Sequence, residues 1–463
     1  MKKFLSLFLS AVTLLFAFSA CSSEKNEIAE TEATDFTAES YINVELTDDG
    51  LDMYKVPEGS SWGYRYGPSI IVNDDGSIDC FYAAPGSQGE WDWLTYKHSD
   101  DGGKTWTNEK KALGPTPGSE DAYSTCDPGV IKIGDYYYLG YTSTENSEGL
   151  YNSLYVARSK TVDGPYEKWN GRGWGGKPKP IVRYTEDENS WGCGEPSFVL
   201  LDDTIYIYYS WRSVDSTGLI NQTRLATADA TDENWPETVE YQGIAFKHAD
   251  FNCDSIDVKY VEQYDMFLAV NACERLLSDS YIQFYQSEDG INFTPCTTLT
   301  DQIYYFCHNV GISGSPDGHI KEGSDIYLGY AYGKDWGCWN TRLCPLEITL
   351  SATEYSNGER TGAYCNPITK CDYSEYNYIM AITDDTRSYE IDIDIPIAKI
   401  NLLTVDAAFY THSLVREVEY SDYDEEIISI SDGIITAKKL GNTLVTVTFG
   451  SFTTQIYVSV IRK

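Results

Sequence analysis

Cys126-Asp127-Pro128-Gly129-Val130-Ile131-Lys132 decides the reading of this chain, because it does not stand alone. The apolar run it opens leads into a Gly134-Asp135 turn and then Tyr136 to Thr144, an alternating second strand. Similar openings stand at Tyr66-Gly67-Pro68-Ser69, Gly194-Glu195-Pro196-Ser197, Cys253-Asp254-Ser255-Ile256 and Cys307-His308-Asn309-Val310. Gly67, Asp127, Glu195 and Asp254 lie 60, 68 and 59 positions apart. Hairpin-turn signals at Ser99, Ser159, Thr227 and Ser287 keep step at 60, 68 and 60, each 32 or 33 residues after its opening. His308 opens a fifth, shorter copy. Repeats of this length, made of short strands and turns, predict an all-β chain with five blades around an axis. The opening residues then face one central hollow, and three of the five are carboxylates.

The bulk composition agrees with strands. Among 463 residues there are 38 tyrosines and 11 tryptophans, with 37 glycines and 16 prolines to punctuate them. That length allows more than one domain. The net charge of −37 repels nucleic acid and anionic membrane, which excludes both as direct partners. A monomer is expected.

The first residues carry a processing pattern. Lys2 and Lys3 precede an apolar run, Phe4 to Phe18, too short to span a bilayer. Ser19-Ala20-Cys21 resembles a bacterial lipobox, so residues 1–21 are expected to be a lipoprotein signal peptide with lipidation at Cys21. Residues 22–40 read as a flexible tether. The expected location is the bacterial cell envelope, outside the cytoplasm, with membrane contact only through the lipid. Without Cys21, 11 of the 12 cysteines remain, so at least one is unpaired. Cys365 with Cys371, or Cys338 with Cys344, would close short disulfide loops. No C-x-x-C spacing suggests a zinc knuckle or redox dithiol.

Up-and-down strands place the loops between second and third strands on the same face as the openings. They bring candidate substrate contacts: Arg65, Tyr66, Asp92, Trp93, Arg212, Asn271, His308 and Trp336. Indole faces beside carboxylates and amides suit a sugar ring, whose C–H face stacks while its hydroxyls take fixed polar partners.

Three resemblances add to this. Ser99-Asp100-Asp101-Gly102-Gly103-Lys104-Thr105-Trp106 resembles the Asp-box, and Ser287-Glu288-Asp289-Gly290-Ile291-Asn292-Phe293 is similar to a degenerate copy. Such a turn lies on the face away from the strand openings, so Asp101 and His98 are read as structural. The openings at Asp127 and Glu195, with the turn Asp163-Gly164-Pro165-Tyr166, resemble the five-bladed glycoside hydrolase superfamily that includes family 43. Residues 41–365 are assigned to this propeller and 366–388 to a linker. Ile427 to Thr448 resembles the bacterial immunoglobulin-like group 2 domain, which assigns 389–463 to a small immunoglobulin-like β-sandwich.

The hydrolase resemblance implies that Asp127 orients, Glu195 is the general acid, and an aspartate on the first blade is the base. This chain has Gly67 there. The base then falls to Asp254, with Asp92 as the loop alternative, and Asp127, Glu195 and Asp254 are the candidate catalytic set. The expected substrate is a glycan and no cofactor is required. A second reading uses His248, Asp254 and His308 to hold a divalent metal for amino-sugar deacetylation. A third is a glycan-binding or adhesion protein whose catalytic ring has decayed, for which Gly67 is the evidence.

Overall fold

The computed structural model describes residues 40–56, 63–86, 91–144, 149–215, 218–248, 253, 256–334, 337–360, 364, 378–381, 388–400, 402–405, 411–413, 418–431, 433–449 and 452–462. The leader, Cys21 and the tether up to residue 39 lie outside these residues, as do Asp254, Trp336, Cys365 and Cys371.

Apolar runs bounded by Gly, Asp and Pro turns form antiparallel sheets, four of them built round four consecutive strands. Sheet one comprises Tyr66–Val72, Ile78–Pro85, Asp92–Ser99 and Lys110–Leu113. Sheet two comprises Cys126–Ile133, Tyr136–Ser143, Ser153–Ser159 and Glu167–Lys168. Sheet three comprises Gly192–Leu201, Thr204–Asp215, Gly218–Asp229 and Glu240–Lys247. Sheet four runs through Asp257–Val261, Met266–Cys273, Tyr281–Ser287 and Thr294–Leu299. Sheet five has Cys307–Ile312, Ile326–Tyr332 and Asn340–Ser351, and its outer partner comes from the other end of the chain: Tyr41–Leu46. Tyr41 stands opposite Ser351 and Leu46 opposite Leu346. This pairing covers a sheet edge that would otherwise present unpaired backbone groups.

Apolar cores lie between neighbouring sheets rather than in one central mass. Phe81 and Leu94 of sheet one meet Leu139 and Tyr155 of sheet two. Ile131 and Leu154 of sheet two meet Ile205 and Ile207 of sheet three. Val199 and Tyr208 meet Val258 and Phe267 across sheets three and four, and Leu268 and Phe284 meet Val310 and Leu328 across four and five. Ile70 and Tyr82 of sheet one pack with Tyr327 and Leu343 of sheet five. The sheets therefore form a closed cycle.

The first strand of every sheet is innermost, and the backbones approach closely there. A Cβ on Gly129 would overlap the Pro196 carbonyl, and one on Gly311 would overlap the Pro68 carbonyl. Ser69 Oγ accepts from Val130 N at 3.2 Å. Between sheets three and four, Ser197 Oγ donates to Asp257 Oδ1 at 2.7 Å, and Asp257 Oδ2 accepts from Ile312 N of sheet five at 2.8 Å.

One segment closes the far end of the axis. Gly314 O accepts from Val72 N at 2.9 Å, Pro316 O from Lys132 N at 2.7 Å, Asp317 O from Leu200 N at 3.0 Å and Gly318 O from Tyr260 N at 3.1 Å. A single turn out of sheet five thus caps the last residues of the other four inner strands in order. The strand openings lie at the other end of the hollow.

The Ser99 turn is local architecture. Asp101 accepts from Thr105 N at 2.8 Å and Thr105 Oγ1 at 2.7 Å, and Trp106 Nε1 donates to Gly103 O at 3.0 Å. His98 Nδ1 lies 2.7 Å from Asp79. The turn stands at the opposite end of the Asp92–Ser99 strand from Asp92.

Cys344 carries a free, buried thiol, so the expected bridge to Cys338 is not formed. Cys80, Cys193 and Cys296 are likewise free and buried, acting as small apolar residues.

Towards the C-terminus, Ser388–Asp392, Glu419–Ser421, Gly441–Phe449 and Phe452–Ile461 form one sheet and Ile397–Lys399, Ile428–Ser431 and Ile434–Ala437 another. Ile391, Ile428, Ile435, Val445, Val447, Ile456 and Val458 form their shared core. Tyr378–Ala381, within the stretch read as a linker, is a strand paired with Leu402–Val405.

Candidate active site

The strand openings share one backbone device. In sheets one, two and three the ladder register slips between Tyr66 and Ser69, Cys126 and Gly129, and Gly194 and Ser197. The bulged residue adopts a left-handed conformation: Gly67 at φ 62°, Asp127 at 48° and Glu195 at 54°. In sheet five the slip falls between His308 and Val310, and the left-handed residue is Asn309 at φ 40°. The fifth corner is therefore Asn309, and the expected corner His308 precedes it. Cysteine immediately precedes the corner in sheet two but stands two residues before it in sheet five, so alignment on cysteine shifts the register by one. Asn is among the few residues that enter this region readily.

For Asp127 and Glu195 the left-handed backbone costs about 1–2 kcal/mol each. The surroundings hold them there. Pro128 and Pro196 follow, which disfavours the right-handed helical alternative. Glu195 N donates to Thr142 Oγ1 at 2.7 Å, and Gly194 precedes it where a Cβ would overlap the Thr142 side chain. Strain held at equivalent corners on two acids that face one hollow points to use.

Gly67, Asp127, Glu195, Asp257 and Asn309 line that hollow, a narrow cavity of about 30 Å³. Asp257 is a strut of the ring: Lys259 Nζ lies 2.5 Å from Oδ1, and Ser197 and Ile312 N occupy the remaining lone pairs. Asp127 and Glu195 are the acids available for chemistry among the described lining residues.

Their neighbours differ in charge. Arg212 Nη2 stands 3.5 Å from Glu195 Oε2 and 3.4 Å from the Cys253 carbonyl, with its guanidinium 5.0 Å from the Trp191 ring centre. Asn221 Nδ2 reaches the same carbonyl at 3.5 Å. On the other side, the Asp127 charge bears on a second, buried acid, Asp92. Burial pushes the Asp92 carboxyl up to about 7; the Asp127 charge adds to this, and hydrogen bonds from Tyr64, Tyr66 and Ser124 oppose it. Tyr64 Oη donates to Asp92 Oδ1 at 2.6 Å.

The remaining candidates separate into wall and scaffold. His308 is buried with Nδ1 2.6 Å from Asn309 Oδ1, and its ring meets Trp339 edge-on at 4.3 Å beside Tyr66. Tyr64, Tyr66, Trp339 and His308 thus form an aromatic box behind the fifth corner. Asn271 is fully buried and accepts from the Cys273 thiol at 3.2 Å. Arg65 is committed to scaffold: Nε donates to Glu109 Oε1 at 2.8 Å and Nη2 lies 2.5 Å from Oε2, over the Tyr54 ring. Trp93 carries the Lys111 ammonium on its face. His248 Nε2 lies 3.1 Å from Thr223 Oγ1 and the ring stacks on Phe246. Among the described residues no group of three His, Cys, Asp or Glu side chains is arranged to hold a metal ion. Sequence reasoning missed Asn309, Tyr64 and Trp339; the last two precede or follow strand openings, and no motif marks them.

No family profile matches the chain, and no curated protein does. Solved structures similar to it include a family 117 glycoside hydrolase from Zobellia galactanivorans, 14% identical, covering 68% of this chain and 91% of that one, with TM-score 0.46. An endo-arabinase from Bacteroides thetaiotaomicron is 13% identical over 66% of this chain and 99% of its own, with TM-score 0.44. The α-L-arabinofuranosidase from Podospora anserina is 11% identical over 67% and 97%, again with TM-score 0.44. The fold described above rests on its own sheets and contacts, not on these likenesses.

Proposed function

We propose that the five sheets are the blades of a β-propeller and that its axial hollow hydrolyses glycosidic bonds, with Asp127 and Glu195 as the carboxyl pair. The observation that carries this is the contrast in their neighbours: two strained acids on successive corners, one beside Arg212 and the other bearing by its charge on the buried Asp92. Pairs of acids whose surroundings differ in this way divide the acid and base roles between them.

Glu195, in its ion pair with Arg212, takes the base role, and Asp127 donates. Asp127 gives a proton to the leaving oxygen as the C1–O bond breaks and its electron pair passes to that oxygen. A water oxygen bonds to C1 while its proton passes to Glu195, so the anomeric configuration inverts. This departs from the roles that the sequence resemblance implies, in which Glu195 is the acid and Asp127 orients, because a guanidinium beside Glu195 works against a resting proton there. Asp254 remains a candidate at the fourth corner.

We further propose that the protein is exported, lipidated at Cys21, and carries an immunoglobulin-like C-terminal spacer. The substrate class is a neutral or cationic glycan, since an anionic one meets a chain of net charge −37.

A glycan-library screen of wild type and Glu195→Gln, with and without chelator, tests the proposal. Wild type releases reducing sugar, and the variant loses about 100-fold or more of that rate. Unchanged release by the variant overturns the role of Glu195. Acetate release abolished by chelator favours deacetylation instead. Glycan binding without turnover favours the binding-protein reading, for which the non-acidic corners Gly67 and Asn309 are the specific observation.

A further inference from the structure

Sulfur marks the entry to sheet four. Cys253 precedes Asp254 in the sequence as Cys126 precedes Asp127. In the other four sheets the residue before the corner stands opposite a residue of the second strand: Tyr66 opposite Ala83, Cys126 opposite Thr142, Gly194 opposite Ser210 and His308 opposite Ala331. Sheet four pairs Asp257 with Val270, and carrying that ladder back through the same one-residue slip sets Cys253 opposite Cys273. The side chains agree with this register. Both are buried; the Cys253 thiol donates to Cys273 Sγ at 3.7 Å, and the Cys273 thiol donates to Asn271 Oδ1 at 3.2 Å. Directly opposed residues of an antiparallel pair have Cα atoms about 4.5–5.5 Å apart. That lies inside the range of about 4.4–6.8 Å that a disulfide spans.

We propose that Cys253 and Cys273 are a disulfide site, closed by a small-molecule disulfide as the chain folds. One cysteine, as thiolate, attacks a sulfur of that reagent, forms a mixed disulfide and expels the other half. The second cysteine, as thiolate, attacks the protein sulfur of the mixed disulfide and expels the remaining half. Each departing thiolate takes up a proton, so the protein loses two hydrogens and two electrons and the reagent gains them. Timing follows from the native surroundings. The Cys253 thiol beside it and burial hold the Cys273 thiol well above its ordinary value, so little thiolate forms once the sheet is complete. The bond ties Cys253 to the second strand of its own sheet, and the Cys253 carbonyl is the one that Arg212 and Asn221 share, at 3.4 and 3.5 Å. It also withdraws the proton that Asn271 Oδ1 accepts.

Closure inside the cell rests on the export reading, but the chemistry does not, so the test uses the purified chain and no glycan. Reduced chain is refolded from urea in a mixture of oxidised and reduced glutathione. Remaining thiols are alkylated, and the peptides are mapped by mass spectrometry before and after reduction. The expected result is a cross-linked peptide joining Cys253 to Cys273 in most folded chains, with alkylation lost at both. Reduction should abolish that peptide, and Cys273→Ser should lack it. Folded wild type with both cysteines alkylated overturns the proposal, and so does either one joined to a different cysteine. If refolding yields no folded protein by circular dichroism, the same map of chain secreted into an oxidising bacterial periplasm decides. A cross-link that forms in the purified chain but is missing from acid-quenched cells of the protein's own source would sink the export reading and leave the site standing.

Discussion

Arg212 Nη2 stands 3.5 Å from Glu195 Oε2 while also leaning on the Cys253 carbonyl, so the second strand of sheet three buttresses the corner of its own first strand. The guanidinium is in turn placed by Trp191 and sits largely out of solvent, with 16% of its side chain exposed. An arginine so held adds a fixed positive charge to the mouth of an otherwise acidic hollow.

Replacing it tests the base role of Glu195. Arg212→Met removes the opposite charge and makes the Glu195 carboxylate harder to form. The acidic limb of the pH–rate profile should move upward by about one unit or more. Rates measured from pH 4 to 8 on the best glycan from the screen check this; an unmoved limb would remove Glu195 from the base role.

The ring should tolerate no added methyl where inner strands touch. Gly311→Ala drives a Cβ into the Pro68 carbonyl, and Gly129→Ala drives one into that of Pro196. Each should cost about 1–3 kcal/mol or more, seen as a lower midpoint in urea. Gly173→Ala, where an added Cβ meets nothing within 4 Å, should stay within about 0.5 kcal/mol of wild type.

Asp92 should leave a signature in stability. Its folded-state carboxyl, near 7, lies above the ordinary value of about 3.9. The native state therefore binds more protons than the unfolded chain between those values. The stability contributed below pH 4 is lost as pH rises through 7. Urea unfolding at pH 5 and pH 8 should show that fall in wild type and a flatter curve in Asp92→Asn.

The Asp101 turn predicts the opposite sign. Hydrogen bonds from Thr105 N and Oγ1 hold its carboxyl down at about 2. Its contribution is present above the unfolded value and lost as pH falls through the folded one. Asp101→Ala should lower the melting temperature at pH 7 and leave glycan turnover unchanged. A large loss of turnover in a folded variant would make the turn functional.

Much of the architecture is legible in the text of the chain. The 60-residue spacing repeats because each sheet needs the same four short strands and turns. Pro128 and Pro196 mark their corners because proline disfavours a right-handed helical residue before it and ends the turn into the strand. The hidden parts depend on neighbours distant in sequence. Nothing local tells that Tyr41–Leu46 pairs with Asn340–Ser351, about 300 residues away. Position along the chain places Arg65 and Trp93 near the hollow, but their side chains serve Glu109 and Lys111, partners that lie in another strand or loop.

Read alone, the residue order determined the all-β class, the repeat and two of the acids at the axis, because those are set by periodicity and by what each backbone position tolerates. Tertiary structure decided that Asn309 and not His308 is the fifth corner, that one turn from Ser313 to Ile320 seals the far end, and that Arg212 stands beside Glu195. The physical reason is common to all three. Register slips, cross-ring hydrogen bonds and an ion pair between neighbouring strands exist only once the strands have paired and the sheets have closed into a ring.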